Sequence, residues 1–163
     1  MAKNKEEKTN VMRVLEQKKI AYSAHTYPHE EGVAVDGVTV AQSMGFDPAI
    51  VFKTLVARGA SKQYYVFDVP VAENLDLKKA AKAVGEKSIE MIHQKELLPL
   101  TGYVHGGCSP VGMKKLFPTV FHSSAENLAA MIVSAGKIGY QVELAPRNLA
   151  ALVRAKFADI IVE

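Results

Sequence analysis

At positions 50–55 the chain reads IVFKTL, which sets Lys53 in the middle of an apolar run. Lysine is rarely buried without a partner. Either its stem packs while the ammonium reaches water, or the surrounding chain keeps a cation for chemistry. In a partly dry cleft such a cation would attract an anionic partner more strongly than in water. Two glycine-bearing stretches are candidate companions: GGCSPVGMKK over 106–115 and SAGKIG over 134–139. Neither has the G-x-x-x-x-G-K-S/T order of a phosphate-binding P-loop. Gly106 and Gly107 would let backbone pass close to a ligand, and Ser109-Pro110 would open a helix whose amides face an anion. The same residues also suit ordinary strand-to-helix turns.

Other chemistries fit less well. His25 and His29 have the spacing of one helical face, but Pro28 between them breaks that helix, and no carboxylate pattern completes a metal site. His93, His105 and His122 stand singly, as surface or satisfied core residues. Cys108 beside His105 invites a nucleophile reading, yet no third orienting group is identifiable, and a small buried thiol is the favoured state. No Ser/His/Asp spacing and no carboxylate pair is evident. The expected site holds no metal or cofactor and works by positioning and electrostatics.

The elements that must carry these residues are short. TNVMRVLEQKKIAY places Val11, Val14 and Leu15 at helical spacing, with Thr9 or Asn10 as cap. HTYPHEEGVAVDG reads as a strand end and a loop, and VTVAQSMGF as a short helix closed by Gly45. Asp47-Pro48 opens a turn into the lysine stretch. KTLVARGASKQYYVFDVP predicts two strands turning around Arg58–Ser61. NLDLKKAAKAVGEKS is the clearest helix, between the cap Asp76 and the terminator Gly85. HQKELL predicts a short helix before Pro99. TGYVHGG, TVFHS, MIVSAG and YQVEL are four further short runs, and PRNLAALVRAKFADI predicts a closing amphipathic helix with Pro146 in its first turn. The pattern is mixed α/β, with more late strands than a doubly wound fold supplies.

Composition bounds the rest. The length of 163 residues suits one domain, with a polar start through residue 8 expected to be frayed. Lys+Arg number 20 against Asp+Glu 17, so the formal charge of +3 permits a local anion-binding patch without being a nucleic-acid signature. The one cysteine excludes an intrachain disulfide and favours a reducing compartment. The charged start lacks a signal-peptide core, and no run reaches the roughly 20 apolar residues of a membrane span. A cytoplasmic protein with no membrane partner is expected.

Six motifs recur in a fixed order: HTY, VFKTLV, DLKKAAKAVG, TGYVHGGCSPVGMKK, VSAGKIGYQVEL and AKFADI. Together they resemble the free-standing aminoacyl-tRNA editing deacylases related to the prolyl-tRNA synthetase insertion domain. Within these the chain is most similar to the Cys-tRNA(Pro) deacylase group, the YbaK/EbsC family, from about Thr9 onward. The resemblance implies a curved, barrel-like mixed sheet flanked by helices, with a pocket where the lysine strand meets the glycine loops. It makes Lys53 the essential lysine and Tyr27, Thr54, Gly106 and Ser134 pocket residues. The Gly106-Gly107 amides would help hold the substrate carbonyl or a backbone phosphate.

Two positions depart from the family pattern. Asp36 stands where relatives can carry an aromatic residue, and Gln141 stands where the closest relatives carry an aspartate. The implied substrate is the 3′ acceptor end of Cys-tRNA(Pro), with Cys-tRNA(Cys) as a second, and the implied nucleophile is the substrate's own thiol. A transient complex with prolyl-tRNA synthetase is a further implication. Three alternatives stay open: a water-using deacylase for Ala-tRNA(Pro) or another misacylated tRNA, a non-catalytic tRNA- or synthetase-binding module, and a small-molecule-binding protein in which Lys53 is a structural, snorkelling lysine.

Overall fold

Local capping chemistry sets the first elements. The computed structural model describes residues 8–163. The expected fraying of the start falls mostly outside them; Lys8, which is described, pairs with Glu16 at 2.9 Å. Helix α1 (Asn10–Gln17) begins at Thr9, whose hydroxyl accepts the Met12 amide, and buries Val11, Met12 and Leu15. Strand β1 (Ser23–Thr26) follows, then α2 (Gly37–Met44), capped by Asp36 and closed by left-handed Gly45. A 3-10 turn (Pro48–Ile50) leads into a long hairpin of β2 (Phe52–Gly59) and β3 (Tyr64–Pro70). Its register runs from Phe52 opposite Pro70 to Arg58 opposite Tyr64. The predicted turn lies slightly later, because β2 continues through Gly59 and Lys62 takes the positive φ.

Helix α3 (Leu77–Val84) has the expected Asp76 and Gly85 ends. Beyond it come β4 (Ile89–Met91), α4 (Gln94–Thr101), β5 (Thr119–His122), β6 (Met131–Ser134), β7 (Tyr140–Leu144), α5 (Pro146–Val153) and β8 (Ala155–Ala158). Four expectations are corrected here. Helix α4 runs through Pro99 to Thr101, because a proline in a last turn forfeits little more than one hydrogen bond; Gly102 ends it. Residues 102–118 form no strand, and no helix follows Ser109-Pro110. The closing helix stops at Val153: Arg154 turns left-handed, and 155–158 pair parallel with β5, where Phe157 meets Phe121.

The strands make two sheets rather than a closed barrel. One has the order β4-β2-β3-β5-β8, the other β1-β7-β6. A single parallel bridge, Val51 to Ile132, joins them among the described residues. The core divides accordingly. Leu55, Ala57, Phe67 and Val69 pack toward Ala80 and Ala81 of α3, whereas Val56 and Val66 pack toward Cys108 and Phe117 of the long loop. Alternation along β2 and β3 therefore presents two different environments on the hairpin's two faces.

Candidate active site

The site lies where the two sheets approach each other. β4 covers β2 only at Ala57–Gly59, so the earlier part of β2 has a free edge beside β6. A cleft of about 210 Å³ opens along this edge. It gathers Tyr27, Lys53, Thr54, Gly106, Ser134 and Gln141 into one lining, together with Asp36, His105 and Cys108. Gly107, also predicted, is not part of that lining.

Each side chain is held by its element. Lys53, in the middle of β2, is half-buried, and burial pulls its ammonium below the usual lysine range while Asp36 and Glu73 oppose that shift. Asp36 reaches the cleft as the cap of α2, accepting the Val38 and Thr39 amides at 3.3 Å each. Its hydrogen bond with the Thr39 hydroxyl holds its carboxyl below the usual range. Gly37 lets this helix start sit on the end of β3, since a Cβ there would come within 2.6 Å of Val71.

Tyr27 extends β1 and is buried; its amide donates to the Gly139 carbonyl at 3.0 Å, and burial raises its phenol. Ser134 and Gln141 face one another across β6 and β7. The Ser134 hydroxyl accepts the Gly136 amide at 3.1 Å. Gln141 is buried, and its Oε1 has no hydrogen-bond partner. An unmet buried acceptor in a cleft wall is suited to a donor on a ligand.

The glycine pair also packs closely against the chain beside the cleft, where Gly106 is part of the lining. Gly106 has φ +89°, and a Cβ there would lie 2.7 Å from the Ala34 Cβ. A Cβ at Gly107 would lie 3.0 Å from the Ile138 nitrogen. The two glycines thus let three loops close on one another around the mouth; the close approach is to the chain itself.

The competing chemistries resolve individually. Cys108 is buried, and burial followed by the nearby Asp68 pushes its thiol up to about 12, so it carries no thiolate at neutral pH. His25 pairs with Glu143 at 2.8 Å and His29 Nδ1 with the Tyr27 carbonyl at 2.9 Å, so the two imidazoles serve different partners. His122 is buried, and its Nδ1 accepts the Ile160 amide. Among the described residues no three His, Cys, Asp or Glu side chains group as a metal site, and no helix is long and apolar enough to cross a membrane.

Sequence reasoning missed Asp68. It is completely buried on β3, opposite Thr54, whose hydroxyl donates to its Oδ1. The signal was available: YYVFDVP sets one acid in an apolar strand as IVFKTL sets one base.

Comparison with known proteins places the chain in a family. A family model described as the aminoacyl-tRNA editing domain matches residues 32–152. EbsC of Enterococcus faecalis, named as a candidate Cys-tRNA(Pro)/Cys-tRNA(Cys) deacylase, is 46% identical over 161 residues, covering 98% of each chain. The crystal structure of a candidate trans-editing enzyme for prolyl tRNA synthetase superposes with a TM-score of 0.79 at 25% identity, over 94% of this chain and 95% of that one. The hypothetical protein APE2540 shares the fold, with a TM-score of 0.82 at 19% identity over 93% and 99% of the two chains. The chain belongs to the aminoacyl-tRNA editing domain family.

Proposed function

We propose that this protein is a trans-editing deacylase that hydrolyses Cys-tRNA(Pro), and Cys-tRNA(Cys) as a second substrate. The carrying observation is the near full-length identity to a protein named for that activity, combined with one cleft that collects Lys53, Tyr27, Thr54, Ser134 and Gln141. The whole chain acts as one editing domain in the cytoplasm, free or in a transient complex with prolyl-tRNA synthetase.

The substrate is an ester between an amino acid and the terminal ribose of tRNA. Lys53 binds the acceptor end, where its half-dry ammonium neutralises a phosphate or polarises the ester oxygens. Gln141 offers its free carbonyl to the substrate's α-ammonium or thiol. A carboxylate at this position would form a stronger, charge-assisted bond. Gly106 and Gly107 shape the mouth through the loops they lock together.

The protein's own thiol is too weakly acidic to attack. The cysteinyl thiol of the substrate, once deprotonated, attacks its own ester carbonyl. The carbon–oxygen bond to the ribose breaks, the ribose hydroxyl takes a proton, and the resulting thiolactone is opened by water to free cysteine. Such editing is needed because a synthetase pocket separates near-isosteric amino acids by only about 1–3 kcal/mol per methylene.

The test is a deacylation time course on tRNA(Pro) charged separately with cysteine, alanine and proline, with wild type and Lys53→Ala. Rapid loss of cysteine alone, abolished by the substitution, is the expected result. Preference for alanine would move the nucleophile to water, and no hydrolysis of any substrate would leave a tRNA-binding module.

A further inference from the structure

The cleft wall rests on a charged group that the deacylation steps above do not use. The Asp68 side chain is completely buried, its Oδ1 accepts the Thr54 hydroxyl, and its Oδ2 has no hydrogen-bond partner. Buried carboxylates are ordinarily matched by a cation or several donors. Asp68 has one hydroxyl, and that hydroxyl belongs to a residue lining the cleft.

Few titratable groups face it. β2 contributes Thr54, and β5 contributes Phe121 at the paired position. The long loop contributes Cys108, with Tyr103 beyond it, and burial pushes each of these up to about 12. Lys53 is one residue away in register, paired with Val69, so its side chain leaves the opposite face of the hairpin. Asp68 is therefore the member of this group that changes charge near neutrality. Burial raises its carboxyl to about 7, against the opposing pull of the Thr54 hydrogen bond.

We propose that Asp68 is a positioning residue that sets the hydrogen-bond polarity of Thr54 toward the aminoacyl group, a role that rests on reading the cleft as the deacylase site. An ionised carboxylate only accepts, so it obliges the Thr54 hydroxyl to spend its proton inward and to present lone pairs to the cleft. Thr54 then receives a donor from the substrate, an ammonium or a thiol. A protonated Asp68 has a proton to give; Thr54 accepts it and turns its own hydrogen outward. The wall changes from acceptor to donor, and a cationic aminoacyl group loses its partner.

The test compares pH profiles of kcat/KM for Cys-tRNA(Pro) between wild type and Asp68→Asn. The asparagine is neutral at every pH, so the limb centred near 7 in wild type should vanish. The limbs due to the substrate's own groups remain in both proteins. The lost limb should amount to ~10-fold in kcat/KM, carried mainly by KM, the worth of one hydrogen bond. Superimposable profiles would overturn the proposal. A second readout needs no turnover: the Asp68 carboxyl carbon is followed by NMR titration in wild type and Thr54→Val. Its midpoint should rise when the hydroxyl is lost, because that hydrogen bond favours the ionised form. An unmoved midpoint would also overturn it. If wild type leaves Cys-tRNA(Pro) intact, the deacylase reading fails, and the titration alone decides the coupling of Asp68 to Thr54.

Discussion

The two strands of the β2–β3 hairpin each carry one charge in an apolar run, and the fold treats them in opposite ways. Lys53 leaves one face half-exposed beside the cleft, with no ion pair among the described residues and with the more distant Asp36 and Glu73 for compensation. Asp68, one register position away, leaves the other face fully sealed, with Thr54 as its single partner. Two opposite charges that close in sequence register would form an ion pair if they shared a face. Strand alternation separates them, so the cation stays available to a ligand and the acid acts through a neighbour's hydroxyl. The same anomaly in a sequence thus marks two different uses of charge, and the face decides which.

The largest expected effect breaks the cation side. Lys53→Ala should lower kcat/KM for Cys-tRNA(Pro) by roughly 100- to 1,000-fold, the scale of a lost electrostatic stabiliser. Its thermal midpoint should stay near wild type, since no hydrogen bond or ion pair is lost. A parallel fall in stability and activity would reassign Lys53 to structure.

The acid side should answer in stability. The folded-state carboxyl of Asp68 is raised from 3.8 to about 7, so the native state binds its proton more tightly than the unfolded chain does. Stability from that proton is complete below about pH 4 and is lost as pH rises through about 7. Asp68→Asn removes the dependence and should be more stable than wild type at pH 8 by roughly 4 kcal/mol, with the gap closing toward pH 4. Chemical denaturation at the two pH values checks this, and a gap that widens on acidification would reverse the sign of the argument.

Thr54→Val sharpens the contrast further. It strips Asp68 of its partner and should cost about 1–2 kcal/mol at pH 8, less at acid pH where the carboxyl is neutral. A cost independent of pH in the same denaturation series would mean that packing, not the hydrogen bond, holds the pair. The smallest effect belongs to Cys108→Ala. With its thiol protonated and buried, it should change kcat by less than about threefold and cost about 1 kcal/mol of stability through lost packing. Loss of turnover in a steady-state assay would restore it as a nucleophile.

Legibility followed the range of the interactions. Thr9, Asp76, Gly45 and Gly85 were readable as helix ends because a cap is chemistry between residues two to four apart. The strand nature of 155–158 was not, because AKFA becomes a strand only by pairing with β5 more than thirty residues earlier. Lys53 drew notice by its apolar neighbours, and the motif order placed Tyr27, Ser134 and Gln141 beside it. Nothing local reveals that Gly106 and Gly107 fit against Ala34 and Ile138, because those neighbours lie in distant segments of the chain.

The pairing of β1 with β7 has a consequence for synthesis. His25 meets Glu143 across 118 residues, and the wall that Tyr27 shares with Gln141 exists only once this pairing is made. A growing chain on the ribosome therefore carries no assembled cleft until β7 has emerged. An interrupted translation product ending before that strand lacks the wall that Gln141 supplies, whatever else of the fold it has made.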